Sequence, residues 1–403
     1  MPLSGVRVLD MTRVLAGPSA TQLLGDLGAD VIKIERPGSG DDSRGLGPPY
    51  LKDAAGAETG ESAYFLSANR NKRSVTIDLT KPEGQELARA LMSHCDVVVE
   101  NFRTGSLAQY GLTYPQIKER FPRLVYCSIT GFGQTGPYAK RAGYDYLVQG
   151  MGGIMSVTGE PDGPPQKVGV GIADLMTGMY AAVAILAALR HRDATGAGQY
   201  IDMALLDTQV AWLSYVGQNY LTSGEVPRRR GNQHPNIMPY QVFGAADGLL
   251  ILAVGNDAQF SRFCAFCGQP EIARDQRFAT NARRLKNRDI LTPIIADLIA
   301  AHPIRHWVEG LTKVNVPCGP INAIDQVFAD PQVRARDLKI AMPHGAAGGR
   351  DIELIGSPIK MSASPVSYRL PPPMLGEHTD EILRQLLGLG EAEIQSLRQH
   401  GVV

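Results

Sequence analysis

Asp174 is the residue of this sequence on which a reaction could turn. It stands in "GVGIADLMTGMYAAVAILAAL", residues 169–189, where two glycines precede a single carboxylate and an apolar helical run follows. Two local readings stand side by side. Asp is favoured at a helix N-cap, where its oxygen accepts a backbone N–H and meets the positive end of the helix dipole. Yet Thr177, not Glu or Gln, stands three residues on, so no capping box reinforces a cap. Glycines beside a carboxylate also let a bulky ligand approach the backbone. The two roles are compatible, because a helix N-terminus keeps a carboxylate ionised for nucleophilic attack. Gly169-x-Gly171 matches the start of a dinucleotide fingerprint. Asp174 occupies the place of its third glycine, where a carboxylate would repel a pyrophosphate, so a nucleotide on this helix is not expected.

Other chemistry-bearing patterns are thin. The sequence has no G-x-x-x-x-G-K-[ST], no G-x-S-x-G and no H-E-x-x-H. Cys264-Ala-Phe-Cys267 has the spacing of half a zinc site, but no second pair follows, and two thiols on a helix explain it. His302 and His306 are four apart with Pro303 between them and no glutamate to join them. No metal site is expected.

The elements that must position Asp174 read as an α/β pattern. β-branched runs at 6–11, 30–35, 73–79, 96–102 and 124–133 alternate with helical patterns at 18–28 and 81–95. Strands separated by helices imply a mostly parallel sheet, and "DVVV" is the continuous apolar run of a strand buried on both faces. The long helix is expected over 174–192. A basic, Gly- and Pro-bearing stretch, "GEVPRRRGNQHPN" (224–236), reads as a linker or a functional loop. A second α/β block runs from about 239 to 328, and strand-like segments return before a last helix that Thr379 would cap.

With 403 residues the chain exceeds one ordinary core, and roughly two domains are expected. Lys plus Arg equals Asp plus Glu at 40 each, so no bulk charge draws the protein to nucleic acid or to an anionic membrane. Five scattered cysteines suit a reducing compartment, and the start "MPLSGVRVLDM" has no secretory pattern. A cytoplasmic location is the expectation. The longest uncharged apolar run, Met176 to Leu189, is about fourteen residues and reads as a core helix.

Six stretches in order carry a further reading: "GVRVLDMTRVLAGPSATQLLGDLGADVIKIERPGSGDDSRG", "NRNKRSVTIDL", "VVENFRTGSL", "GYDYLVQGMGG", "GIADLMTGMYA", and "PCGPIN" with "LGEHTDEIL". Together they resemble the class III CoA-transferase family, which includes formyl-CoA:oxalate and carnitine CoA-transferases, over nearly the whole chain. The resemblance implies a doubly wound parallel-sheet large domain from 1–224 and 329–403. A smaller α/β domain is inserted at 225–328, and two chains interlock as rings in a homodimer. It implies coenzyme A and acyl-CoA as substrates rather than tightly bound cofactors, with small carboxylic acids as the other partners. It makes Asp174 the nucleophile that attacks the thioester and passes through an acyl anhydride and an aspartyl-CoA thioester. By motif, Leu15 and Ala16 lie at the thiol end and Arg36 on phosphate or adenine. Ile77, Asp78, Leu79 and Thr80, with Asn101, Phe102 and Arg103, line the nucleotide. Ala142, Gly143, Tyr144 and Asp145 sit near the pantetheine.

Departures narrow the substrate. Formyl-CoA:oxalate CoA-transferase has a glutamine at the place of Leu15, an arginine at the place of Gln109, and four glycines where this chain reads "GNQHPNIMPY". These argue against formyl-CoA and oxalate. With Arg228, Arg229 and Arg230 beside the loop, they favour a larger acid, with a dicarboxylyl-CoA such as succinyl-CoA as donor. The α-methylacyl-CoA racemases of the same fold would need a His near position 144, where Tyr144 is a poor base at neutral pH. A non-catalytic CoA-binding protein is the third reading, against which Asp174 speaks.

Overall fold

The structure is a computed structural model that describes all of residues 1–403. Six strands form one sheet: β1 (Arg7–Met11), β2 (Asp30–Glu35), β3 (Lys72–Thr76), β4 (Val97–Glu100), β5 (Val125–Thr130) and β6 (Tyr200–Ala204). Their order across the sheet is β3-β2-β1-β4-β5-β6, and every neighbouring pair is parallel. The order reverses between β1 and β4. At such a reversal the chain leaves adjacent strands toward opposite faces, and a crevice opens at their carboxyl ends.

Both faces of the sheet are covered, which is why its strands are apolar without alternation. Val8, Val97, Val99 and Val125 face the layer of α1 (Ala16–Asp26) and the later helix Ile172–Thr195. Leu9, Val98 and Tyr126 face α2 (Pro82–Met92), with Leu87 and Leu91, and the C-terminal helix Thr379–Leu387, with Ile382 and Leu383. Thr379 is the first residue of that helix rather than its cap. Its hydroxyl instead accepts the N–H of Thr76 at 3.1 Å, tying the chain's end to β3.

Between β5 and β6 lie α3 (Asp145–Met151) and α4 (Ile172–Thr195). By length and composition α4 could cross a membrane. Here it is the crossover between two parallel strands, with Ala181, Ile185 and Ala188 buried in the core beside α1. Gly178 sets the closeness of that packing: a Cβ there would lie 2.7 Å from the carbonyl oxygen of Ala16. Asp174, one turn earlier, is thereby held against the start of α1.

The chain divides into two compact units, Met1–Ile154 with Lys167–Ser214 and Pro331–Val403, and Met155–Gln166 with Tyr215–Asp330. The sequence placed these divisions at 224/225 and 328/329. The second unit holds an antiparallel three-stranded sheet, β7 (Tyr240–Ala245), β8 (Gly248–Ala253) and β9 (Cys318–Pro320), around a core that includes Phe243, Leu250, Phe260 and Trp307.

Beneath the end of β1 lies a set of fully buried charges. Asp10 accepts from the N–H and hydroxyl of Thr12, the hydroxyl of Thr21 and the ammonium of Lys72. Lys33 donates to the carbonyl of Thr12 at 2.8 Å and pairs with Asp41 at 2.7 Å, while Asp41 accepts the N–H of Val14 at 3.0 Å. Burial alone would raise the pKa of Asp10, but the charges of Lys72 and Lys33 outweigh it and hold it below the usual carboxylate range. The network fixes the loop Thr12–Leu15, in which Val14 takes a left-handed φ of 70°. Removing one partner of a buried pair strands the others. Lys33→Met is therefore expected to lower the unfolding free energy by about 3–5 kcal/mol in urea titrations.

Candidate active site

The crevice at the strand reversal is an open cleft of about 880 Å³. Its walls come from the loops after β1 (Arg13–Ala16), after β4 (Asn101–Thr104) and after β5 (Gly131, Arg141–Tyr144), with Asp174 among them. Asn101 locks the first two loops together: its side-chain oxygen accepts the N–H of Arg13 at 2.9 Å and its amide donates to the carbonyl of Arg13 at 2.8 Å. Gly131 and Gly143 cross so closely that a Cβ on either would lie under 3 Å from the other's Cα. A second cleft of about 610 Å³ opens after β2 and β3, lined by Arg36, Asp41 and Ile77–Thr80. Arg13 and Phe102 line both clefts.

Asp174 is the third residue of α4 and does not cap it. Gly171 holds the N-cap position and supplies no side-chain cap. The cap comes from another helix: the carboxylate of Asp145, at the start of α3, accepts the N–H of Ala173 at 2.8 Å and that of Asp174 at 3.3 Å. Gln149 donates its amide to the second Asp145 oxygen at 2.7 Å. An anion near N–H groups two and three of a helix is what an N-cap side chain provides. With that role filled, the Asp174 carboxylate is left half-buried on the cleft wall, accepting no protein hydrogen bond.

Its electrostatics also differ from the expectation. A helix N-terminus was expected to keep Asp174 ionised by lowering its pKa. Instead burial first, and then the negative charge of Asp145, push it up to about 7. The helix N–H groups that would have favoured its anion are already taken by Asp145.

The other predicted residues divide between the clefts. Leu15, Ala16, Asn101, Arg103, Ala142, Gly143 and Tyr144 line the first with Asp174; Arg36, Ile77, Asp78, Leu79 and Thr80 line the second; Phe102 lines both. Leu15 stands over the start of α4, its Cδ2 3.1 Å from where a Cβ on Gly171 would be. Asp145 lines neither cleft, its carboxylate being turned into the end of α4. Three lining residues carry no motif signal that singled them out. Arg13 and Asp42 form an ion pair at 2.9 Å, and Arg141 lies over the rings of Tyr138 and Phe132 at 4.7 and 5.3 Å. Tyr64 is a fourth residue missed. Burial, then the charges of Asp174 and Asp145, raise its phenol, so it stands within electrostatic reach of both. No three His, Cys, Asp or Glu side chains are grouped as metal ligands.

The family model of CoA-transferase family III matches residues 3–379. The chain belongs to CoA-transferase family III. It is 52% identical over 385 residues to a succinate–glutarate CoA-transferase of Agrobacterium fabrum, covering 96% of each chain. It is 42% identical over 402 residues to the human succinyl-CoA:glutarate CoA-transferase, covering all of this chain and 90% of that one. The crystal structure of a CaiB/BaiF family protein from Brucella suis superposes with a TM-score of 0.84 at 48% identity, covering 96% of this chain and 99% of that one. The parallel α/β fold and the assignment as a CoA-transferase rest on these likenesses together.

In this CoA-transferase the raised pKa of Asp174 has a consequence for stability. An unfolded Asp titrates near 3.9, so the fold opposes ionisation of Asp174, weakly just above that pH and fully above about 7. Asp174→Asn removes this opposition. It is expected to leave stability unchanged near pH 4 and to raise it by on the order of 2 kcal/mol near pH 8, read from denaturant titrations at both.

Proposed function

We propose that the protein moves CoA from succinyl-CoA to a second dicarboxylic acid, glutarate being the first to test, with Asp174 as the covalent nucleophile. The observation that carries this is a carboxylate on the cleft wall with no hydrogen-bond partner and a pKa near neutrality. A carboxylate partly desolvated and free of hydrogen bonds attacks a carbonyl more readily than a hydrated one. In the first step an Asp174 oxygen bonds to the thioester carbon and the C–S bond breaks, giving a mixed anhydride and CoA thiolate. The thiolate then attacks the Asp174 carbonyl carbon, releasing the donor acid and leaving an aspartyl-CoA thioester. The acceptor carboxylate repeats the two steps in reverse.

The surroundings suit that sequence. The N–H of Ala16, in the open first turn of α1, donates to no group of the protein, and we assign it to the developing oxyanion. The N–H groups of Ala173 and Asp174, which the local sequence would have offered for that task, are engaged by Asp145. Arg103 and Arg141 line the cleft without an ion-pair partner, which suits an acid with a second carboxylate. The thioester's nucleotide end is assigned to the second cleft, with Arg36, Asp78 and Thr80. Relatives named as succinyl-CoA-dependent transferases, among them those of glutarate, mesaconate and D-citramalate, support succinyl-CoA as donor.

We assign the protein as a homodimer. Tyr146, Met151, Met179, Val183, Val210 and Trp212 are large apolar side chains exposed on α3, α4 and the neighbouring helix Leu205–Ala211 and its end. An apolar face of that kind on mutually packed helices suits a partner surface.

Incubation with succinyl-CoA and glutarate is expected to give glutaryl-CoA by mass spectrometry, and Asp174→Ala to reduce this at least a thousandfold while the protein stays folded. Hydroxylamine added during turnover should leave a hydroxamate on Asp174; turnover without that mark would overturn the covalent assignment. Because the anion is the nucleophile, kcat/KM should rise tenfold per pH unit below about 7 and level off above it. Asp145→Asn keeps a side-chain oxygen for the helix but removes the charge, so the rising limb should move to lower pH.

A further inference from the structure

We propose that Arg13 holds the diphosphate of the CoA thioester, exchanging Asp42 for it when substrate enters. The inference rests on the placement of CoA across the two clefts given above. With the thioester carbon at Asp174 in the first cleft and the nucleoside in the second, the diphosphate must cross where the clefts meet. Arg13 and Phe102 are the residues that line both.

The backbone and side chain of Arg13 have separate duties. Asn101 pins its N–H and its carbonyl, so the residue's position is fixed without the guanidinium. The guanidinium lies over the Phe102 ring, 5.4 Å from the centroid, and reaches Asp42 through a single Nη1 contact of 2.9 Å. Its Nε is buried and has no acceptor. A fork that can bind an oxyanion through two N–H groups is thus holding a carboxylate by one.

That contact is a poor competitor. The Arg13 and Asp42 side chains are 36% and 55% exposed, and an ion pair so exposed is screened and contributes little. A diphosphate presents two negative charges and several oxygens, enough to take Nη1 from Asp42 and to give Nε the acceptor it lacks. The other carboxylates lining these clefts do not offer the same exchange. Asp41 is bound to Lys33 and the Val14 N–H, Asp78 accepts from Thr80, Glu35 is paired with Arg44, and Asp174 lies at the thioester end. Of these two clefts, each neighbouring cation lines a single one, Arg36 the second and Arg103 and Arg141 the first.

Exchange gives the two partners effects of opposite sign, which a structural ion pair cannot do. The test is CoA binding by titration calorimetry, with kcat and KM for succinyl-CoA, on wild type, Arg13→Ala, Arg13→Lys and Asp42→Asn. Arg13→Ala should weaken CoA at least tenfold, the scale of losing a charge-assisted double contact, and leave kcat within about threefold. Arg13→Lys, which keeps the charge but not the fork, should fall between. Asp42→Asn should tighten CoA severalfold and make its binding less sensitive to the exchange of low for moderate salt. Loosened binding in both Arg13→Ala and Asp42→Asn would mean the pair serves the loop, and would overturn the proposal. So would unchanged CoA affinity in Arg13→Ala, or a loss confined to kcat. Failure of the wild type itself to bind CoA would instead overturn the underlying placement of the substrate.

Discussion

The contact between the Asp145 carboxylate and the first turn of α4 sets the terms for the rest of the site. A helix start leaves N–H groups that need acceptors, and in a half-buried position some group must supply them. Had Asp174 supplied them, its charge would have been stabilised and its oxygens occupied. Asp145 does so from another helix, and Gln149 steadies it from one turn further along α3. The same charge that satisfies the helix then opposes ionisation of its neighbour. One interaction thus holds α4 in place, frees the oxygens of Asp174 and raises its pKa.

Around that contact the sheet does the positioning. The clefts are made of loops leaving the carboxyl ends of five strands, and the strand order reverses between β1 and β4. Loops of this kind would be mobile if tied down only by backbone. Here the β1 loop is held from below by Lys33, Asp41 and Asp10, and from the side by Asn101. Buried charge is an expensive way to fix a loop. It accounts for the left-handed Val14, which aims Leu15 at the start of α4 while Arg13 stays at the meeting of the clefts.

What the sequence disclosed follows from how local each feature is. Parallel strands announce themselves as apolar runs, and residues that follow them fall at one edge of the sheet; Arg36, Ile77–Thr80 and Asn101–Arg103 stand there, but it was the family resemblance, not position, that singled them out. The partner of the α4 N-terminus is 28 residues away from Ala173, and no spacing rule reaches it. Asp174 therefore read as its own cap, and its pKa was expected to shift the wrong way. Arg13 was hidden for another reason: an arginine after a strand is ordinarily a solvated charge, and only the loops from β2, β3 and β4 make it a shared wall. Thr379 shows the same limit at the other end of the chain, since its hydroxyl is engaged by a residue 303 positions away. The second unit begins at Tyr215, ahead of the Gly- and Pro-bearing stretch, and adds 155–166. A composition shift marks a change in chain character, whereas a compact unit is defined by which residues pack together.

An apparent defect of the site is that Asp174, the proposed nucleophile, would be only about half ionised near neutral pH. On the proposed reaction this is favourable. When the Asp174 carboxylate forms an anhydride or a thioester it becomes neutral, and the repulsion from Asp145 and the cost of burial are both relieved. The negative charge moves away from Asp145 onto the thiolate and the developing oxyanion, toward the open N-terminus of α1. Binding that disfavours the ground state more than the transition state raises the rate rather than the affinity. A fully stabilised Asp174 anion, held by its own helix as a true cap, would have been easier to form and harder to use.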